Sequence, residues 1–289
     1  MNIDSNVYTM IRTVIILLVL SLAAVFICVS VVLVVRQRDM IYHPQRYIES
    51  LRLPSDIKPI SYLVDNDVQE AYLYTKNPKP QNIWVILGGN ATLSLQWYGF
   101  LESLDTKDCG YLLVDYPGYG NNAGNPSQKN NREAVLQATI ALNKTLPYKK
   151  NLHMIGQSLG AAVAVDTAES INAQTIVMIS PFTSIKTMAT EIIGPIWSWL
   201  LTPFLQDRYP TQTTLKTLEK TQPHIKITIL HGNEDKIVPV TMGRRLALDH
   251  KDWITYDEIE GAGHELNTEG LEKLTRIISK VCQTTPNKK

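Results

Sequence analysis

Residues 152–170 read LHMIGQSLGAAVAVDTAES, and how this stretch divides decides the fold. Its first part, LHMIGQ, is a short apolar run suited to a buried strand; its second, LGAAVAVDTAES, is a helix rich in small residues. Ser158 stands at the junction, flanked by Gly156 and Gly160 in a Gly-x-Ser-x-Gly pattern. A strand that turns sharply into a helix lifts such a serine hydroxyl clear of the sheet, and the two segments then pass too closely for side chains at either glycine. Three fixed positions recur by chance in roughly a few per cent of chains of this composition. The surroundings therefore have to carry the reading.

Outward from the serine, other short apolar runs recur without polar alternation: IWVIL (83–87), YLLVD (111–115), TIVMISP (175–181) and KITILHGNED (226–235). WITYDEIEGAGH (253–264) is a last strand with its loop. Helical segments near 94–104, 131–145, 241–249 and 268–282 separate them, the pattern of a mostly parallel sheet covered by helices on both faces. PISYLV (59–64) and EAYLYT (70–75), joined by the turn-forming DND at 65–67, read as an antiparallel edge. No internal repeat interrupts the pattern, so a single α/β domain over 57–283 accounts for it.

Between the strands at 175–181 and 226–235 the regular spacing breaks, and IIGPIWSWLLTPFLQDRYP (192–210) is unusually apolar. It reads either as a helix packed into the core or as a short helical lid over about 186–222. A lid would offer Trp197, Leu201 and Phe204 to an apolar substrate, or rest on a membrane surface.

The N-terminus carries a second strong signal. From Thr13 to Val35 there is no charge, with Arg12 before the run and Arg36 and Arg38 after it. As a helix it would extend about 35 Å, enough for a hydrocarbon core of about 30 Å. A cleavable signal peptide would be shorter and end in small residues at a cleavage site, whereas this run continues into VVLVVRQR. The organisation is thus a short tail (1–12), one transmembrane anchor (13–35), a connector (36–56), the α/β domain and a C-terminal tail (284–289). Arg36, Arg38 and Arg46 outnumber Arg12 across the anchor, which leans the large domain toward the cytoplasm. A net charge of +1 argues against nucleic acid as a partner. The anchor makes membrane lipid one partner; oligomeric state is not legible. Of three cysteines Cys28 lies in the anchor, leaving Cys109 and Cys282, too few for a zinc site.

A serine hydroxyl becomes a useful nucleophile only beside a base that a carboxylate orients. In folds with this elbow the order is serine, acid, histidine, with the partners on loops after strands. Among six histidines, His43 is in the connector, His153 starts the serine's own strand, His224 precedes a strand and His250 falls near a helix. His231 is assigned a structural place at a strand end. His264 alone sits on a late glycine-rich loop, EGAGHE, and is the candidate base. HGNEDKIVP offers Asp235 as the acid, with Glu234 as the alternative. Asp115 precedes the serine and reads as structural.

Six stretches in order, GGNA (88–91), DYPGYGNNAGNPS (115–127), GQSLGAAVA (156–164), SPFTSI (180–185), HGNEDKIVP (231–239) and GAGH (261–264), make the chain resemble the α/β-hydrolases. Within that superfamily it is similar to the Bem46-like serine hydrolases and to the α/β-hydrolase domain-containing 13 and 17 groups. The resemblance implies Ser158 as nucleophile, His264 as base and Asp235 as orienting carboxylate, with neither metal nor organic cofactor. It implies an oxyanion hole from the backbone N–H groups of Asn90 and Leu159, such donors being worth a few kcal/mol each. Members of these groups usually carry histidine where this chain has Gly88, so the resemblance implies that the loop that aims Asn90 is looser. The fold also puts Cys109 and Cys282 at the end of the sheet opposite the site, where a disulfide is conceivable; it would argue for an oxidising compartment, against the charge lean. The function expected is a membrane-anchored serine hydrolase of acyl esters or thioesters. A serine peptidase, a small-ester carboxylesterase and a catalytically silent binding module are the alternatives.

Overall fold

The apolar runs assemble into one eight-stranded sheet in the computed structural model, which describes residues 5–48, 52–106 and 108–283. The C-terminal tail at 284–289 and the start of the N-terminal one lie outside the described residues. In chain order the long helix α1 (Ser5–Val35) and the short α2 (Gln37–Ile41) precede the hairpin β1 (Ile57–Val64) and β2 (Asp67–Thr75). Then come β3 (Asn82–Leu87), α3 (Tyr98–Ser103), β4 (Cys109–Val114), α4 (Gln128–Thr145), β5 (Asn151–Gln157), α5 (Leu159–Thr167) and β6 (Ala173–Ile179). Three helices follow, α6 (Ile185–Ile193), α7 (Pro195–Leu201) and α8 (Thr211–Thr221), before β7 (Lys226–Gly232), α9 (Val240–Asp249), β8 (Ile254–Ile259) and α10 (Thr268–Gln283).

The sheet order is β1-β2-β4-β3-β5-β6-β7-β8. β1 and β2 join antiparallel, through Asp65 and Asn66 at φ 49° and 71°, the left-handed pair that a tight hairpin requires. β2 meets β4 antiparallel, and from β4 onward every pair is parallel. β3 and β4 are buried at every position, which is why their sequences lack alternation. One apolar layer packs α4, α5, α8 and α9 on one face, and a second packs α3 and α10 on the other. β4 and β5 flank β3, so the chain leaves β3 in one direction and returns on the other side. The loops after β3 and β5 diverge there, at the switch point where open α/β sheets bind ligands.

Three boundaries differ from those read in the sequence. The long N-terminal helix begins before Thr13: its apolar stretch, long enough to cross a membrane, runs from Val7 to Val35 and faces outward, because one arginine at position 12 does not end a helix. α8 is no part of a lid, since Leu215 and Leu218 are buried in the main core. The amphipathic spacing of those leucines, not the apolar content of 192–210, decides its place. The lid shrinks to α6, α7 and the turn Thr202–Phe204. The connector is also less detached than its sequence suggests, for Tyr42 is buried in the core and Tyr47 packs against it.

Cys109 and Cys282 form a disulfide with Cα atoms 5.5 Å apart, tying the start of β4 to the last turn of α10 across 173 residues. Closing so long a loop removes about 5 kcal/mol of chain entropy from the unfolded state at most. Cys282→Ser is expected to lower Tm by about 10 °C, taking roughly 2–4 °C per kcal/mol for a domain of this size. Thermal melts with and without reductant measure the effect, and wild type in reductant should fall to the variant's value.

Candidate active site

Ser158 links β5 to α5 in a left-handed backbone conformation, φ 52° and ψ −112°, which a non-glycine residue holds only where its surroundings enforce it. They do so on both sides. The Ser158 N–H donates to Ile179 O at 2.8 Å, and Ala161 N–H donates to Ser158 O at 3.1 Å. A Cβ on Gly156 would lie 2.2 Å from Gly160 O, and one on Gly160 would lie 2.2 Å from Leu87 O. The expectation that neither position has room for a side chain therefore has a direct cause in backbone-to-backbone contact.

Asp235 lies in the turn after β7 and His264 in the loop after β8. A Cβ at Gly232 would sit 2.3 Å from both Ala262 O and Gly263 O, so the missing side chain lets the two loops close on each other. His264 Nδ1 then donates to Asp235 Oδ2 at 2.8 Å. Asp235 Oδ1 accepts from the N–H groups of Ile237 at 2.8 Å and Val238 at 2.9 Å. Burial alone would raise this carboxyl's pKa, but hydrogen bonds from His231, His264, Val238 and Ile237 outweigh it and hold the group well below the usual carboxylate range. Glu234, the alternative acid, turns its side chain to solvent. Ser180 Oγ donates to His264 O at 3.1 Å, fixing the loop from below. Ser158 and His264 border one cavity.

His231 adds a further neighbour to Asp235. His231 is fully buried, and its Nε2 lies 3.1 Å from Val238 O and 3.3 Å from Asp235 Oδ2. The only sequence signal is its place four residues before Asp235. The remaining histidines lie elsewhere: His153 packs against Trp84 with its ring tilted, at the far end of β5, burial lowering its pKa to about 4, and His250 pairs with Glu219. His43, however, borders the cavity. Asp115 is buried beside the site, accepting from Ser94 N–H and Tyr47 hydroxyl at 2.7 Å each, and burial raises its pKa.

The loop after β3 is not loose. Tyr116 hydroxyl donates to Gly88 O at 3.0 Å, and Thr92 hydroxyl donates to Gly89 O at 2.9 Å. Thr92 Oγ1 fills the space beside Gly88, 2.7 Å from where its Cβ would be. The Asn90 side chain completes the brace: Oδ1 accepts from His43 N–H and Tyr119 hydroxyl, both at 2.8 Å, and Nδ2 donates to Ile41 O at 2.8 Å. The connector thus supplies the support that a side chain at position 88 was expected to give. Asn90 and Leu159 both border the cavity, and among the described residues neither backbone N–H donates to an acceptor within the chain.

That cavity has a volume of about 470 Å³ and is bordered mainly by apolar side chains. Ser158 and His264 lie at it, as do Leu201 and Phe204 of the lid. Trp197 does not: it stacks on Phe26 of α1 with ring centroids 4.6 Å apart. Trp197 and Leu201 are four residues apart and share a face of α7 by helical spacing, so the difference comes from the ring of Phe26, which takes up Trp197. An arrangement of a strained serine, a carboxylate-bound imidazole and two free N–H groups can support nucleophilic attack on a carbonyl carbon.

The family described as Serine aminopeptidase, S33, matches residues 78–227. A protein of Acanthamoeba polyphaga mimivirus assigned to the α/β hydrolases is 28% identical over 213 residues, 71% of this chain and 75% of its own length. Human α/β hydrolase domain-containing protein 17B is 28% identical over 196 residues, covering 66% of this chain and 64% of that protein. Among solved structures an esterase from Pyrococcus furiosus superposes with a TM-score of 0.61 at 16% identity, over 83% of this chain and 96% of the esterase. At that identity the likeness concerns the fold.

Proposed function

The chain belongs to the α/β-hydrolase family described as Serine aminopeptidase, S33, and from that premise we propose that it is a membrane-anchored serine hydrolase of carboxylic esters or thioesters with an apolar acyl part. The observation that carries the reading is the pairing of an enforced left-handed Ser158 with His264, which holds a 2.8 Å hydrogen bond to Asp235 across a shared cavity.

In this reading Ser158 Oγ attacks the acyl carbon while its proton passes to His264 Nε2. Asp235, kept ionised by four donors, fixes the imidazole's tautomer and stabilises the imidazolium. The N–H groups of Asn90 and Leu159 receive the negative charge on the carbonyl oxygen. Collapse breaks the bond to the leaving alcohol or thiol, which takes the proton from His264. Water then attacks the acyl-enzyme, yielding its proton to His264 and releasing the carboxylic acid and the free serine.

The apolar border of the cavity supports an acyl substrate over a peptide, although the family's description keeps a serine peptidase as the second reading. The helix from Val7 to Val35 supports anchoring. The disulfide supports an oxidising compartment for the domain, reversing the cytoplasmic lean of the flanking arginines. A fluorophosphonate probe tests the reading: wild type should gain one adduct, located on Ser158 by peptide mass. Folded protein that stays unlabelled would leave a silent binding module.

A further inference from the structure

The catalytic cavity is bordered partly by the membrane anchor. Leu33 and Val34, the end of α1, line the same space as Ser158 and His264. The start of the connector, directly after the anchor, is also fastened to the last residue of the lid and to the segment that follows it. Gln37 Nε2 donates to Phe204 O at 3.2 Å, and Gln206 N–H donates to Gln37 Oε1 at 2.8 Å. Arg38 pairs with the buried Asp207 at 3.0 Å, and Tyr42 hydroxyl donates to Tyr209 hydroxyl at 3.2 Å. These contacts fix how deep the lid lies relative to the helix.

That depth can be reckoned along α1. A hydrocarbon core of about 30 Å takes about 20 helical residues. Counted from Arg12, the first charge of the helix, it ends near residues 32–34, just before Arg36, Arg38 and Asp39. The part of the cavity bordered by Leu33 and Val34 then sits at the inner edge of the headgroup layer. Phe26 lies about 12 Å deeper at 1.5 Å per residue, and Trp197 of α7 is stacked on it. The lid therefore reaches into the acyl region of the leaflet. Its outward side chains suit that place: Ile192, Ile196 and Trp199 are 70%, 73% and 74% exposed. From residue 185 to 206 the only charges are Lys186 and Glu191, and a lid in water would expose an apolar patch of a kind that soluble surfaces avoid.

We propose that the substrate is a long-chain acyl ester dissolved in the bilayer, which reaches Ser158 sideways from the leaflet with its chain held between Leu33 and Val34 of the anchor and Leu201 and Phe204 of the lid. This rests on the serine-hydrolase reading and narrows it to a lipid substrate: α1 is both tether and wall of the acyl site. A water-soluble short ester would reach the serine without using that wall.

The test uses the full chain in phosphatidylcholine vesicles and two fluorophosphonates, one with an ethyl group and one with a hexadecyl chain ending in a diazirine. After Ser158 has reacted, irradiation should cross-link the chain end to α1 or to α6–α7, read by peptide mass. The hexadecyl probe should react at least tenfold faster than the ethyl probe, and Leu33→Trp should reduce that preference severalfold. Ser158 adducts whose cross-links fall only outside these helices overturn the lateral route and leave the hydrolase reading standing, as does equal reactivity of the two probes. Failure of both probes to label Ser158 removes the hydrolase reading and the lipid route together.

Discussion

Ser158→Ala is expected to lower kcat/KM for a p-nitrophenyl ester by about a millionfold, Asp235→Asn by about ten-thousandfold, and the double variant by no more than Ser158→Ala alone, because the groups act as a unit. The Ser158 effect follows from removing the attacking atom. That of Asp235 is argued from geometry. Its Oδ2 accepts from His264 Nδ1 and lies 3.3 Å from His231 Nε2, while its Oδ1 is committed to the N–H groups of Ile237 and Val238. With Oδ1 so held, an asparagine would turn its NH2 toward His264. The imidazole would then have to move its proton to Nε2 to accept that bond, leaving no lone pair for the Ser158 proton. The loss should appear in kcat, with KM and Tm little changed. Glu234→Gln should be nearly silent, because that side chain faces solvent. If Asp235→Asn kept more than a tenth of the activity and Glu234→Gln did not, the acid would be Glu234.

Much of this was legible from residue order. The strands came from unalternating apolar runs, and the elbow from two glycines that cannot carry a Cβ beside the backbones of Gly160 and Leu87. What was not legible depends on long-range contact. Trp197 is expected in the pocket as part of an unusually apolar stretch, but Phe26 lies 171 positions upstream and captures its ring. α8 was placed in the lid because it follows an apolar stretch, whereas Leu215 and Leu218 commit it to the core. The departure at Gly88 looked like a weakness because the neighbours of Asn90 could not be seen. His43 and Ile41 approach it from the connector, and Tyr119 from the turn after β4. A sequence read locally assigns each loop its own stiffness, but here the stiffness is lent from elsewhere. The same contacts join the loop after β3 to the connector that follows α1, so the connector and the candidate site form one structural unit.

The glycines offer the second large effect, and a contrast within one site. Gly160→Ala is expected to abolish soluble folded protein, while Gly88→Ala should stay within about 1 kcal/mol of wild type. At Gly160 the added Cβ would meet Leu87 O at 2.2 Å, Gly88 O at 2.6 Å and Leu87 C at 2.8 Å. All three are main-chain atoms at the carboxyl end of β3, which is hydrogen-bonded on both edges to β4 and β5. Relief would require either β3 or α5 to shift by about an ångström through a close-packed core, and overpacking without such relief costs several kcal/mol. Against a total stability of about 5–15 kcal/mol, this leaves little folded protein. At Gly88 the severe contact, 2.7 Å, is with Thr92 Oγ1, the end of a side chain that can rotate away. Its hydrogen bond to Gly89 O would be lost, at a cost of about 1 kcal/mol. Soluble yield and thermal melts measure both variants. A Gly160→Ala protein melting within a few degrees of wild type would show that β3 and α5 are not in backbone contact at the elbow, and the enforced conformation of Ser158 would lose its cause.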